Sequence, residues 1–242
     1  MEDRFEYTFW NFRTTPLWEE LREKLTPPKV ISTYIHGDHI SDILRRGEFF
    51  YESHTFLQFY NDLPSAGTIL DIGANIGNHQ MMFSQVYANR KVIGFEASPY
   101  NYTHLYNNCI KHPFASNYCI GLGDSAQLVD IVHFSSNMGG TGVKAASKKT
   151  EAQTLPMQIL TVPLDTFDFL KDEVTLIKID VEGYETNVIR GAENLLKTSK
   201  PCIWIEDFNY KDNYDESCIK ILEKEFGYKI VNQNECNYLL KV

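Results

Sequence analysis

Asp71, Gly73, Asn75 and Gly77 fall within seven residues of one another in TILDIGANIG, residues 68–77, and Glu96 ends a second run, KVIGFE, at residues 91–96. Each run is short, apolar and closed by a carboxylate, and the first leads directly into a glycine turn. Glycine has no Cβ, so the backbone there can pass close beneath a ligand and take dihedrals barred to other residues. A turn from strand into helix leaves unpaired N–H groups facing the crevice at the strand's carboxyl end. The acid closing the second run sits where a βαβ unit places a carboxylate for ribose hydroxyls. Together the two runs describe a nucleoside-cofactor site.

Two cofactor classes compete for it. A dinucleotide fingerprint needs G-x-G-x-x-G, whereas this loop has only Gly73 and Gly77 and puts Asp71 where a pyrophosphate would lie. Carboxylate against pyrophosphate is repulsive at close range. The same carboxylate attracts a cationic amino-acid moiety and a sulfonium. The residues therefore favour S-adenosylmethionine, with an NAD-dependent oxidoreductase as runner-up.

A second acidic corner lies in IKIDVEGYE, where Asp180, Glu182 and Glu185 fall within six positions. Such carboxylates repel unless a cation, a proton or hydrogen bonds intervene. Lys178 shares a strand face with Asp180 by the period of two, and is expected to pair with Asp71 or Asp180 and clamp neighbouring strands. Asp180, at a strand tip, could hold an ammonium or order the loop. Glu182, in the turn, could face an acceptor; either acid could instead cap the following helix. Glu185 is expected in that helix's first turn. Glu182, or a histidine from another segment, is the candidate for a base that takes a proton from the acceptor. A divalent cation held by Asp180, Glu182 and a third oxygen is the rival arrangement and is not favoured. The sequence His36-Gly37-Asp38-His39 reads as a polar turn rather than a metal site.

These residues need a scaffold, and 242 residues suffice for one substantial α/β domain. Residues 1–64 read as a helical N-terminal extension or cap, with helical stretches at 16–25, 40–45 and 55–62. The turn Pro64-Ser65-Ala66-Gly67 separates it from a Rossmann-like domain over residues 65–242. Strands are expected at 68–72, 91–96, 116–120, 128–134, 157–162, 174–180, 201–206, 228–231 and 238–242, and helices at 79–87, 100–110, 185–196 and 215–226. That alternation predicts a parallel sheet covered on both faces. Residues 135–156, polar and rich in Gly, Ser, Thr and Lys, read as a long loop, either a lid or disordered.

A net charge of −9 argues against binding nucleic acid through its phosphates. The Lys144, Lys148 and Lys149 cluster reads as a solvated loop. Five cysteines without C-x-x-C spacing suit buried thiols in a reducing compartment rather than a zinc site. With no apolar leader and no run near the roughly 20 residues of a membrane span, a cytoplasmic location is expected. The early aromatics Trp10, Phe12, Trp18, Phe49, Phe50 and Tyr51 could stack on sugar faces or pack the N-terminal helices.

The ordered set LDIGANIG, GFEASP, VPLD at 162–165, LIKIDVEGYE and RGA at 190–192 resembles the FkbM family of methyltransferases across about residues 51–206. The resemblance implies a class I methyltransferase fold: an α/β, doubly wound seven-stranded sheet of order 3-2-1-4-5-7-6 with its last strand antiparallel. It also implies S-adenosylmethionine as donor and a hydroxyl acceptor, often on a sugar or natural-product scaffold. Carried over by position, it sets Asp71, Gly73, Asn75 and Gly77 along the methionine and ribose portions of the cofactor. Glu96 falls on the ribose hydroxyls and Asp124, in GLGDS, on adenine. Tyr51-Glu52 resembles a pair that precedes the cofactor domain in relatives, with Glu52 reaching the pocket as a substrate-binding residue. Asn78-His79 departs from the family pattern, and His79 is expected to touch the cofactor carboxylate or face solvent. The N-terminal segment and residues 135–156 match nothing in the family, so acceptor choice would reside there. The expected partner is a small-molecule or glycan acceptor, without nucleic acid or a membrane span, and oligomeric state stays open. A non-catalytic glycan- or protein-binding module on the same fold is the remaining alternative.

Overall fold

Every residue of β1 (Thr68–Ile72) and β2 (Val92–Glu96) is buried, and strands buried on both faces require cover on both sides. The structure, a computed structural model, describes residues 15–28, 30, 32–34, 38–134, 137–143, 153–168 and 173–242. Trp10, Phe12, His36, Gly37, Lys144, Lys148 and Lys149 lie outside the described residues.

After β3 (Ala115–Cys119) the chain forms four strands of a separate sheet, β4 (Gly121–Leu122), β5 (Gln127–Phe134), β6 (Asn137–Val143) and β7 (Gln153–Val162). It then returns to the main sheet as β8 (Val174–Ile179), β9 (Cys202–Glu206), β10 (Lys229–Asn234) and β11 (Asn237–Lys241). The main sheet runs β10-β11-β9-β8-β1-β2-β3. Only β11 opposes its neighbours, pairing antiparallel with β9 and β10. With the inserted strands set aside this is the order 3-2-1-4-5-7-6. The order reverses between β1 and β8, and in open sheets ligands bind beyond the strands' carboxyl ends at that switch.

The helices are α1 (Pro16–Leu21), α2 (His39–Arg46), α3 (Ser53–Phe59), α4 (Asn78–Val86), α5 (Pro99–Cys109), α6 (Glu185–Arg190), α7 (Glu193–Thr198), α8 (Asn209–Asp212) and α9 (Cys218–Phe226). Their ends are written in the sequence. Thr15, Asp38, Ser98 and Ser217 accept backbone N–H groups as N-caps, and Pro follows two of them at the first helical position. One core cluster gathers Trp18, Leu21, Leu44, Phe50 and Phe56 from the N-terminal segment with Ile69, Phe83 and Trp204. The other packs α6, α7 and α9 against the opposite face through Val188, Leu196 and Leu222. Trp18 and Phe50 are therefore core residues, and Phe49 packs against Trp18 with ring centroids 5.0 Å apart.

Three expectations need correction. Residues 135–156 are not one long loop: β6 and the start of β7 fall inside them, joined through β5 in the sheet β4-β7-β5-β6. Three glycines in NMGGTGV erase the alternation that would announce a strand, and the neighbouring ladder supplies the order instead. The single helix at 185–196 is two helices. A Cβ at Gly191 would stand 1.9 Å from the Gly123 carbonyl oxygen, so the chain bends where it meets that loop. The helix expected at 215–226 starts only at Cys218, after a 3-10 turn at Tyr214–Glu216.

Arg90 locks the turn before β1. Its guanidinium donates to the carbonyls of Gly67 at 2.7 Å and Pro64 at 2.6 Å and to Thr175 Oγ1 at 2.9 Å, tying the turn to β8. Arg90→Met strands these acceptors, and charged hydrogen bonds contribute about 1.5–3 kcal/mol each. Urea denaturation should show a loss of about 2–3 kcal/mol; unchanged stability would mean that the turn is held by other contacts.

Candidate functional site

Four acids stand at carboxyl ends of adjacent strands: Asp71 in β1, Glu96 closing β2, Asp180 just after β8 and Glu206 closing β9. Register aligns them, since Asp71 lies opposite Lys178 and Ile179 opposite Ile205. The glycine turn fills the space between. Gly73 has φ +81°, and a Cβ there would lie 1.8 Å from the carbonyl oxygen of Asp180. No other residue fits, so the loops after β1 and β8 touch backbone to backbone. Gly77 is buried against Leu105 and Cys109 of α5.

Asn75 sits at φ +51° with its N–H on Glu96 Oε2 at 2.8 Å. Ser98 N–H donates to the other oxygen at 2.8 Å, and the Asn101 side chain adds a third bond. Burial nevertheless dominates, lifting the Glu96 carboxyl to about 7, with Asp71 pushing the same way and the three donors opposing. The side-chain oxygen of Asn75, itself buried, has no partner.

Asp71 is fully buried, and neither carboxylate oxygen makes a hydrogen bond of normal geometry. The Gln80 backbone N–H offers only a weak contact. Burial raises the Asp71 carboxyl above its ordinary range, against the attraction of Lys178 and His79. Lys178 is 2% exposed and donates to Asp180 Oδ2 at 3.1 Å, the pairing expected from the strand period. Burial would lower its ammonium, but the charges of Asp180, Asp71 and Glu52 outweigh that and raise it. Glu206 is held well above the carboxylate range by burial and then by Asp180, and its Oε1 accepts from Cys236 Sγ at 3.1 Å.

The departure at Asn78-His79 has a purpose in the fold. Asn78 exchanges two hydrogen bonds with the Tyr51 backbone, at 2.9 and 3.0 Å. His79 Nε2 lies 3.2 Å from Glu52 Oε2, an ion-pair contact. Asn237 donates to the other Glu52 oxygen at 3.2 Å. Burial would raise the Glu52 carboxyl, but His79, Lys178 and His54 overcome it and hold it at about 2. His79 is 7% exposed, so the expectation that it might face solvent is corrected: it fastens the Tyr51-Glu52 pair to α4.

Glu182 lies half-buried in the β8–α6 turn at φ +55°. It does not cap α6, whose N-cap is Tyr184. Glu185 instead organises the turn, its Oε1 accepting from Val181 N at 3.2 Å and Gly183 N at 3.0 Å. Asp124 is exposed in the β4–β5 loop, with Oδ1 taking the Ser125 hydroxyl at 3.1 Å. The structure thus gathers Asp71, Gly73, Asn75, Glu96, Asp180 and Glu52 around the switch, with Glu182 on the adjoining turn and Asp124 on a surface loop. Among the described residues no three His, Cys, Asp or Glu side chains converge as metal ligands would. Asp38 instead caps α2, accepting Ser41 N–H at 2.8 Å, and His39 packs edge-on against Tyr51. Sequence reasoning missed Glu206, although PCIWIE shows the same apolar run closed by an acid.

A sheet of this order, with a glycine turn between two acid-tipped strands, defines the class I methyltransferase fold. Residues 71–238 match the Methyltransferase FkbM domain, and the chain belongs to that family. A relative named Methyltransferase 1, from Beauveria bassiana (strain ARSEF 2860), is 24% identical over 151 residues, covering 54% of this chain and 60% of its own length. The crystal structure of Methyltransferase FkbM from Methylobacillus flagellatus KT superposes with a TM-score of 0.52 at 17% identity, covering 95% of this chain and 59% of that one. Aeropyrum pernix fibrillarin, solved with natively bound S-adenosyl-L-methionine, gives a TM-score of 0.50 at 14% identity over 90% of this chain and 88% of its own. These two likenesses establish the fold. The chain spans about 60% of the fungal relative and of the Methylobacillus protein.

Gly73→Ala combines a left-handed dihedral with a clash against fixed backbone. It should cost about 3 kcal/mol or more in urea denaturation. A loss below about 1 kcal/mol would mean that the two loops do not meet here.

Proposed function

We propose that this chain is an S-adenosylmethionine-dependent methyltransferase that methylates a hydroxyl oxygen on a sugar, glycan or natural-product acceptor. The observation that carries the donor assignment is the set of buried acceptors left unsatisfied at the tips of β1 and β2. A carboxylate can accept about four hydrogen bonds; Glu96 already receives three. Its remaining site and the unpartnered Asn75 Oδ1 supply two acceptors for a ribose diol. Beyond them, three acids, Asp71, Asp180 and Glu52, stand against two basic side chains, Lys178 and His79, while burial keeps Glu206 protonated. That excess suits a ligand whose amino-acid end carries an ammonium beside a sulfonium. Such residues would hold the donor with Glu96 and Asn75 on the ribose, and with Gly73, Gly77 and Asp71 along the methionine end. Asp124 is proposed near adenine.

When bound, the donor supplies a methyl group already activated on sulfonium. The chain's remaining task is to align an acceptor and take its proton. We assign the proton to Glu182, on the turn that also carries Asp180. Lys178 fixes Asp180, and Glu185 fixes the backbone on either side of Glu182. Glu52, held between His79 and Asn237, is proposed as a wall of the acceptor side. Phe208, two residues beyond Glu206 and 68% exposed, supports an acceptor with a ring face. The fungal relative's name supports the reaction class.

Two outcomes test this reading. Ribose hydroxyls donate to ionised Glu96, whose carboxyl lies at about 7 in the free protein, so donor binding must favour the deprotonated form. Affinity for S-adenosylhomocysteine should therefore rise about tenfold from pH 6 to pH 8 and level off above, and Glu96→Gln should abolish that slope. Glu182→Gln should lower methyl transfer by about a hundredfold, read by mass spectrometry of a glycan and natural-product panel. Its S-adenosylhomocysteine affinity should stay within about twofold; equal loss of both would move Glu182 to a structural role.

A further inference from the structure

Residues 32–34 lie outside the segment that matches the family, residues 71–238, yet they are fastened along one face of α5. Ser32 exchanges backbone hydrogen bonds with the Asn108 amide, N–H to Oδ1 at 2.9 Å and carbonyl from Nδ2 at 2.8 Å. The Ser32 hydroxyl meets His104 Nδ1 at 2.6 Å. Tyr34 hydroxyl donates to Asn101 Oδ1 at 2.8 Å, and its ring packs edge-on against His104 at 4.3 Å between centroids. Positions 101, 104 and 108 fall on one helical face, and that face runs along the nucleoside side of the site. At one end Asn101 bonds Glu96; at the other Asn108 donates to the Ile76 carbonyl at 2.8 Å, inside the glycine turn.

The C-terminal end of the strap is fixed equally well, by α2. Ser41 Oγ accepts the Tyr34 N–H at 3.1 Å, and Arg45 Nη1 donates to the Tyr34 carbonyl at 2.9 Å. These are polar contacts, directed at both ends of the pair of loops that would hold a ribose. Tyr34 also packs against the N-terminal core cluster, so the strap couples that core to the two loops. Tyr34 remains only partly buried, and its phenol keeps acceptor lone pairs after donating to Asn101. Burial raises the phenol above its ordinary range, and Glu96 is the next cause, which sets the two side chains within each other's field.

We propose that the strap Ser32–Tyr34 walls the nucleoside end of the donor site and that Tyr34 is a donor-binding residue, its hydroxyl facing the ribose or base of an adenosine moiety. This rests on the donor reading above. It also makes the N-terminal helices part of the cofactor site, because α2 holds the strap through Ser41 and Arg45.

Calorimetry with S-adenosylhomocysteine and with adenosine, and hydrogen exchange of peptides spanning residues 32–34, test it. In the wild type, S-adenosylhomocysteine should slow exchange in those peptides. Tyr34→Ala should weaken both ligands by the same factor, about tenfold or more. Tyr34→Phe keeps the ring on His104 and should weaken them about threefold. Tyr106→Ala, an exposed position of α5, should change neither. If Tyr34→Ala does not fold, the Phe variant decides. Wild-type affinity in the Tyr34 variants, or unchanged exchange on binding, overturns the strap while leaving the donor reading intact. An absence of heat in the wild type overturns the donor reading and the strap with it.

Discussion

A fully buried lysine sets the terms for everything at this sheet edge. Lys178 holds an ammonium between strands, out of reach of water, and it survives there because Asp180 accepts from it and Asp71 and Glu52 surround it. An isolated charge so deep would give up its proton or break the fold. The dependence is mutual, since acids on adjacent strand tips repel without a cation among them. With Lys178 in place, the loops after β1 and β8 can close on each other until Gly73 meets the Asp180 carbonyl. Without it, the same tips would have to separate or take up protons.

The site that results is asymmetric. On the β2 side, Glu96 is poised near neutrality and backed by three donors, with Asn75 beside it and the strap at residues 32–34 outside. On the β8 and β9 side the acids divide: Glu52 is held strongly acidic by its basic neighbours, while burial and Asp180 keep Glu206 protonated. Two carboxyl groups a few residues from the same crevice thus end in opposite states for environmental reasons alone. The first half suits a neutral, hydroxyl-bearing group and the second a cationic one. A donor that carries both, joined end to end, fits the sequence of environments from β2 to β8.

Much of this was legible in the chain before folding. Buried strands of a parallel sheet read as apolar runs, and TILDI, KVIGFE, VTLIKID and PCIWIE stand out because each carries an acid at or next to its end. The lysine in VTLIKID was visible as an anomaly, and the period of two pointed it at Asp180. What stayed hidden depends on contacts far apart in sequence. Nothing local marks Gly191 as the place where a helix must break, since the obstruction is the Gly123 carbonyl. The strand NMGGTGV carries too little side chain to show its period. His79 reads as an exposed or ligand-facing residue until Glu52, 27 positions earlier, is brought against it by α3 and α4. Tyr34 carries no signal at all without the face of α5 on which it lies.

The most direct test is a single titration: S-adenosylhomocysteine into the wild type and into Asp71→Asn, with NADH into the wild type as comparison. A donor held at these strand tips gives heat with S-adenosylhomocysteine and none with NADH, and an affinity at least about tenfold weaker once the Asp71 carboxyl is an amide. Equal affinity in the two proteins, or heat from NADH alone, would contradict this placement of the donor.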